Sequence, residues 1–427
     1  MTYWCEHAWL PSGIAGGVRV EVADGRVSAV VPNRPRAGTI LSGLTLPGLA
    51  NVHSHAFHRA LRGRTHGGWG TFWTWRESMY ALADRLDPDS YHRLARVVYA
   101  EMTLAGYTSV GEFHYLHHAP GGTRYADPNA MSAALVAAAA DAGIRLCLLD
   151  TCYLAGGFGR PLAGPQLRFG DGDAQRWAER VEEFRPAGEV TVGAAVHSVR
   201  AVPVTELPTV STWARDRPLH VHLGEQRAEN EDCQAAHGRT PTQLLADAGV
   251  LGPQSTAVHA THLAVGDIAV PHRVCFCPTT ERDLGDGIGP ARALLDAGVP
   301  LCLGSDSHAV IDPFEETRAL ELNERLAMQR RGRFSAAELL AAATGHEALG
   351  FPDAGRIAPG ARADLVTVDL GSVRTAGSKP DGVFFAATAA DVREVLIAGR
   401  RVVHEGRHEL IDRPEALLAT EIAGLWS

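Results

Sequence analysis

From Leu46 onward, short apolar runs alternate with longer segments whose apolar residues recur at helical spacing. The first run, Leu46-Pro47-Gly48-Leu49-Ala50-Asn51-Val52, leads directly into His53-Ser54-His55. Residues 109–113, 145–149, 190–194, 219–222, 257–259, 273–276 and 301–303 supply seven further strand candidates. Between them lie helical signals. Asp87-Pro88 reads as an N-cap followed by proline at the first helical position, with Gly106 closing that segment, and an alanine-rich run over 130–142 stops at Gly143. Eight strands alternating with helices predict an α/β fold, a (β/α)8 TIM barrel, over residues 47–350. The flanks follow a different pattern. Residues 18–22 and 27–30 alternate about Asp24-Gly25 as in a hairpin, and short strands return over 363–368, 392–397 and 402–403. Residues 1–46 and 351–427 are therefore expected to join in a small β-sandwich beside the barrel.

Composition narrows the function. The chain has 427 residues, 45% hydrophobic and 21% charged, which is ordinary for a globular protein. Its net charge of −9 argues against nucleic acid or an anionic membrane as partner. No apolar run approaches the roughly 18 residues a membrane span needs. The start, Met1-Thr2-Tyr3-Trp4-Cys5-Glu6, lacks the basic segment and apolar core of a secretory signal. The seven scattered cysteines do not form a disulfide framework, and Cys275-Phe276-Cys277 reads as buried strand cysteines. A cytoplasmic protein is expected. The one lysine, Lys379, lies near the C-terminus, so no barrel lysine can bridge two metals as a carbamate.

Candidate chemistry gathers at the strand ends, where barrel active sites form. Residues two apart on a strand share a face, so His53 and His55 aim both imidazoles at one point. With 20 histidines, chance alone yields about one such pair, so the weight lies in what recurs downstream. Read in order, the later strand ends carry Glu112 with His114 and Tyr115, His197 with Arg200, His222 with Glu225, His259 with His262, and Asp306. Two histidines from the first strand, one from the fifth and an aspartate from the eighth complete an N/N/N/O ligand set. Zinc suits that set, and iron or manganese would also accept it. His220 shares a face with His222 but lacks a glutamate three residues on, and is expected to pack. Arg76 lies among Trp69, Phe72, Trp73 and Trp75, where a ligand carboxylate is the natural partner for its guanidinium.

These motifs together resemble the amidohydrolase superfamily over essentially the whole chain: the opening His-x-His, His222-x-x-Glu225, His259 and Gly304-Ser305-Asp306. His197 stands where two-metal members carry their bridging lysine, which implies a mononuclear, deaminase-like subtype. Five segments resemble the formimidoylglutamate deiminases of histidine degradation in particular: His53-Ser54-His55-Ala56-Phe57, Phe72-Trp73-Thr74-Trp75-Arg76, Gly111-Glu112-Phe113-His114-Tyr115, His197-Ser198-Val199-Arg200 and His220-Val221-His222-Leu223-Gly224-Glu225-Gln226. The resemblance implies one zinc per chain on His53, His55, His222 and Asp306. It further implies catalytic roles for Glu225 and His259, with Asp306 placed to accept a proton from water. The small-molecule dicarboxylate substrate would be held by Arg76, Tyr115, His197 and Arg200, with His58 in the same pocket where members of that group carry glutamine. The loop at Pro278–Gly285 departs from theirs at Arg282 and Asp283. The expected reaction is hydrolysis of N-formimidoyl-L-glutamate to N-formyl-L-glutamate and ammonia, by a homodimer. Two other readings stand beside it: an aminohydrolase of the same superfamily acting on a nucleobase or guanidino compound, and a non-catalytic barrel subunit.

Overall fold

The computed structural model describes residues 1–66 and 70–426; Trp69 of the aromatic cluster lies outside them. The chain begins with β1 (Thr2–Leu10), β2 (Gly13–Ala23), β3 (Arg26–Val31) and β4 (Thr39–Pro47). It ends with β13 (Leu365–Val368), β14 (Val392–Ile397), β15 (Arg400–His404) and β16 (Arg407–His408). These eight strands form one sheet in the order β16-β15-β14-β13-β4-β1-β2-β3. The two chain ends meet where β4 runs antiparallel to β13, with Leu46 opposite Val366. Alternation along these strands turns Tyr3, Cys5, Val18, Val20, Leu41 and Leu396 into a small core of their own.

The strands between build the second sheet: β5 (Leu49–Ser54), β6 (Tyr107–His114), β7 (Arg145–Cys152), β8 (Val190–Val196), β9 (Leu219–Leu223), β10 (Ser255–His259), β11 (Val274–Phe276) and β12 (Leu301–Leu303). Each pairs in parallel with the next in sequence, giving the order of a barrel. These strands are buried on both faces, which is why they read as continuous apolar runs rather than alternating ones.

Helices α1 (Phe72–Ala83), α2 (Pro88–Ala105), α3 (Ala130–Ala142) and α4 (Ala174–Glu183) cover the first half of the barrel. The Asp87 side chain accepts the Ser90 N–H and caps α2, while Gly106 and Gly143 end α2 and α3 in the left-handed region at φ 105° and 71°. Closure of the barrel depends on Gly304. A Cβ there would stand within 2.7–2.9 Å of the His53 backbone and Cβ. Its absence lets Ser305 N and Asp306 N both donate to the His53 carbonyl, at 3.1 and 3.0 Å. Asn51 ties the same seam, donating to Ser305 Oγ at 2.7 Å and accepting from Ser305 N at 3.0 Å. The seam brings the ends of the first and eighth strands together.

Candidate active site

Three imidazoles and a carboxylate converge at the barrel mouth. His53 Nε2 and His55 Nε2 each lie 3.3 Å from Asp306 Oδ1, and His222 Nε2 lies 3.1 Å from His53 Nε2. Four ligands about 2.0–2.1 Å from a tetrahedral ion stand about 3.3 Å apart, so these three spacings suit a shared metal ion; by mutual proximity His53, His222, His259 and Asp306 form one candidate group and His55, His58 and Asp306 another. The proton accounting agrees. His55 Nδ1 donates to Phe113 O and His222 Nδ1 to His197 O, both at 2.8 Å. A neutral ring with its proton on Nδ1 presents a bare lone pair at Nε2. Burial, followed by the charge of His53, pulls His55 down to about 3, and burial holds His222 well below its usual range, so both are neutral. The bare lone pair of His55 therefore faces a carboxylate oxygen at 3.3 Å. A cation turns that repulsion into coordination.

The backbone at this point is strained in support of the side chains. His259, Ala260 and Asp306 adopt φ of 68°, 50° and 39°, which non-glycine residues keep only where their surroundings hold them. Ala260 N donates to Leu223 O at 2.9 Å, locking the end of β10 to that of β9.

Glu225 follows β9, and its Oε1 stands 3.7 Å from His259 Nε2. Burial pushes its carboxyl up to about 7, a value suited to passing a proton at neutral pH. On His259, desolvation opposes the charge, yet the Glu225 carboxylate, the Glu281 hydrogen bond and Asp306 outweigh it and raise the ring to about 10. Glu281 sits on the helix Pro278–Leu284, accepts Cys277 N at 2.9 Å, and places the same Oε1 3.4 Å from His259 Nδ1. It orients the ring from behind.

A narrow pocket, with about 40 Å³ of free space, opens beside this cluster. Helix α1 walls one side with Phe72, Trp75, Arg76, Met79 and Tyr80, whose spacing at i, i+3, i+4, i+7 and i+8 defines one helical face. Tyr115, Tyr153, His197 and Arg200 come from the ends of the next strands. His58 Nε2 and Tyr115 OH are hydrogen-bonded at 2.9 Å. The two arginines differ. Arg200 Nε donates to Glu229 Oε2 at 2.7 Å, and Glu229 also accepts Gly224 N at 2.9 Å. Arg76 stacks over Trp73 and Tyr80, at 4.5 and 5.4 Å from the ring centroids, and among the described residues it has no carboxylate partner.

Residues 44–402 match the profile described as the amidohydrolase family. The chain belongs to the amidohydrolase family. A formimidoylglutamate deiminase from Pseudomonas aeruginosa is 39% identical to this amidohydrolase over 432 residues, covering 95% of each chain. The crystal structure of an amidohydrolase from Brucella melitensis superposes over all of both chains with a TM-score of 0.91 at 33% identity. An adenosine deaminase from Xanthomonas campestris, solved with bound zinc, covers 100% of this chain and 97% of its own, with a TM-score of 0.84 at 25% identity.

Not every polar residue at a strand end of this amidohydrolase faces the pocket. Glu112 lies behind the first strand, accepting Ser54 Oγ and Ala56 N, both at 2.7 Å, and so fixes the chain on either side of His55. His220 donates to Ala348 O at 3.0 Å, and His262 to Asp286 O at 2.8 Å. His114 and His117 group with Asp150 in the barrel wall, but Asp150 already accepts from Arg180, Trp177 and Ser132 and has no lone pair left for an ion. The sequence reading missed Tyr80, Tyr153, Gln166, Glu229 and Glu281. Tyr80 carried a signal, being four residues from Arg76 on one helix, as did Tyr153, one residue beyond β7. The other three act through partners distant in sequence.

Proposed function

We propose that this amidohydrolase hydrolyses N-formimidoyl-L-glutamate to N-formyl-L-glutamate and ammonia, a step of histidine degradation, with one zinc ion per chain held by His53, His55, His222 and Asp306. The observation that carries the reading is Arg76, a pocket cation with no carboxylate partner among the described residues, facing the same cavity as the histidine–aspartate cluster. A neutral nucleobase offers such a cation nothing, whereas an amino dicarboxylate does. The 39% identity to a formimidoylglutamate deiminase points the same way.

Bound at the four ligands, zinc would supply a water molecule acidified from a pKa of about 15.7 toward 7. Asp306 accepts the proton of the attacking water through the oxygen not committed to His53 and His55. The new C–O bond forms at the formimidoyl carbon, whose amidine is cationic and needs no further activation. His259, held by Glu281, hydrogen-bonds the oxygen as the carbon becomes tetrahedral. Glu225 delivers a proton to the terminal nitrogen, the C–N bond breaks with its electron pair going to nitrogen, and ammonia leaves. Loss of the remaining hydroxyl proton gives the formyl group. Tyr115 and His58 line the pocket beside His55, with His197 packed against Tyr115 and Arg200 also in the lining. All of these residues lie within 47–350; residues 1–46 and 351–427 brace the barrel without lining its pocket.

The test is ammonia release by the zinc-loaded protein from N-formimidoyl-L-glutamate, set against adenosine, guanine and a guanidino acid. Turnover of the formimidoyl dicarboxylate at least tenfold above the others is expected. Preference for a nucleobase would reject the substrate while leaving the aminohydrolase chemistry.

A further inference from the structure

The floor of the pocket beneath Arg76 holds a pair of phenols that the mechanism above does not use. Tyr80 OH and Tyr153 OH lie 3.3 Å apart, and Gln166 Nε2 donates to both, at 3.0 and 3.2 Å. The orientation of that amide is set by Ala163 N, which donates to Gln166 Oε1 at 3.3 Å. Both amide hydrogens are thus directed at the phenol oxygens. Each phenol then has its own proton to place, and only one of the two can be given to the other oxygen. The second phenol proton has no acceptor among the described residues. Burial raises the Tyr153 phenol well above its usual range, so it stays protonated at neutral pH.

The surroundings indicate what this proton is for. The Arg76 guanidinium lies 5.4 Å from the Tyr80 ring centroid, on the same face of α1. Tyr153 packs against His197 with ring centroids 4.3 Å apart, and His197 O in turn accepts from the ligand residue His222. A cation without a carboxylate among the described residues and a hydroxyl without an acceptor thus adjoin each other, and the charges of both Arg200 and Arg76 reach Tyr153. Arg200, whose charge acts on Glu225, sits nearer the chemistry and suits the α-carboxylate, which is bonded to the carbon bearing the formimidoyl nitrogen. We infer that Tyr80 and Tyr153, posed by Gln166, form with Arg76 a subsite for the γ-carboxylate and are specificity-determining residues of this enzyme. The inference rests on the dicarboxylate reading above and names the side chains that measure the length of the substrate.

Calorimetric binding of glutarate and of butyrate to the zinc-loaded full chain reads this corner without any turnover. Glutarate can span Arg200 and the corner, whereas butyrate can satisfy only one of them. In the Tyr80→Phe/Tyr153→Phe double variant, glutarate affinity is expected to fall roughly ten- to a hundredfold, the scale of a hydrogen bond to a charged group, with butyrate little changed. Each single variant keeps one phenol proton that no longer has a phenol acceptor, so each should lose far less than the double. That non-additivity is what a merely structural role would not produce. Should the double variant fail to fold, Gln166→Glu serves instead, because its carboxylate would accept both phenol protons and weaken glutarate with the phenols still in place. Unchanged preference for glutarate, or equal losses for glutarate and butyrate, overturns the inference. Ammonia release by the wild type is scored separately. A wild type inactive on formimidoylglutamate whose double variant loses glutarate selectively would reject the substrate and keep the subsite.

Discussion

Arg76 and Arg200 line one pocket, yet their removal should have different consequences. Arg200 is 11% exposed at its side chain and paired at 2.7 Å with Glu229, which is 1% exposed. Truncating Arg200 leaves that carboxylate buried without its counter-ion, a loss of about 3–5 kcal/mol in folding stability. The orphaned charge would also act on Glu225, whose carboxyl Glu229 already raises. Arg76 has no such partner among the described residues, and its truncation removes two stacking contacts, about 1 kcal/mol in all. Under the proposed function both variants lose a carboxylate contact worth about 2–5 kcal/mol in the transition state, or roughly thirtyfold to several thousandfold in kcat/KM. Urea unfolding of the zinc-loaded Arg76→Ala and Arg200→Ala proteins, alongside ammonia-release kinetics and zinc content, separates the two effects. Arg200→Ala should unfold at distinctly lower urea, and Arg200→Ala/Glu229→Ala should recover stability but not activity. Equal stability of the two single variants would refute the reasoning, as would an Arg76→Ala enzyme with undiminished preference for the dicarboxylate.

Further outcomes can be checked directly. Saturated protein should hold about one zinc equivalent, and chelation should abolish ammonia release with recovery on adding zinc back; two equivalents would contradict a single site. Glu225→Gln should retain zinc and substrate binding while turnover falls at least about a hundredfold, measured under saturating substrate. His58→Gln should alter kcat/KM only modestly, since a glutamine amide can still reach Tyr115 OH; a loss comparable to that of Glu225→Gln would place His58 in the chemistry. In the barrel wall, burial opposes the Asp150 charge but Arg180 holds it at about 2. Its pKa when unfolded is about 3.9, so the unfolded chain takes up the proton first and stability falls as pH drops from about 4 to 2. The stability difference between wild type and Asp150→Asn, followed by acid unfolding, should therefore shrink across that window.

What the chain declares by itself is whatever depends on near neighbours. The eight parallel strands announce themselves because strands buried on both faces must be apolar throughout, and α2 and α3 because Asp87, Pro88, Gly106 and Gly143 mark their ends locally. The spacing His53-x-His55 could be read in the same way, since strand alternation puts both on one side, whereas Glu225 stands three residues past His222 and beyond the end of β9. That the two chain ends share one sheet, with β4 between β1 and β13, needed the fold, because pairing partners over 300 residues apart leave no local mark. So did the different standing of the two arginines, identical as letters. Arg200 is neutralised by a glutamate 29 residues on, and Arg76 by no carboxylate among the described residues. Glu281 behind His259 and Gln166 beneath the two phenols are likewise ordinary polar residues until closure of the barrel brings them to their partners. A side chain's donors and acceptors can be counted from its identity, but whether they are already satisfied is decided only by what the tertiary structure sets beside them.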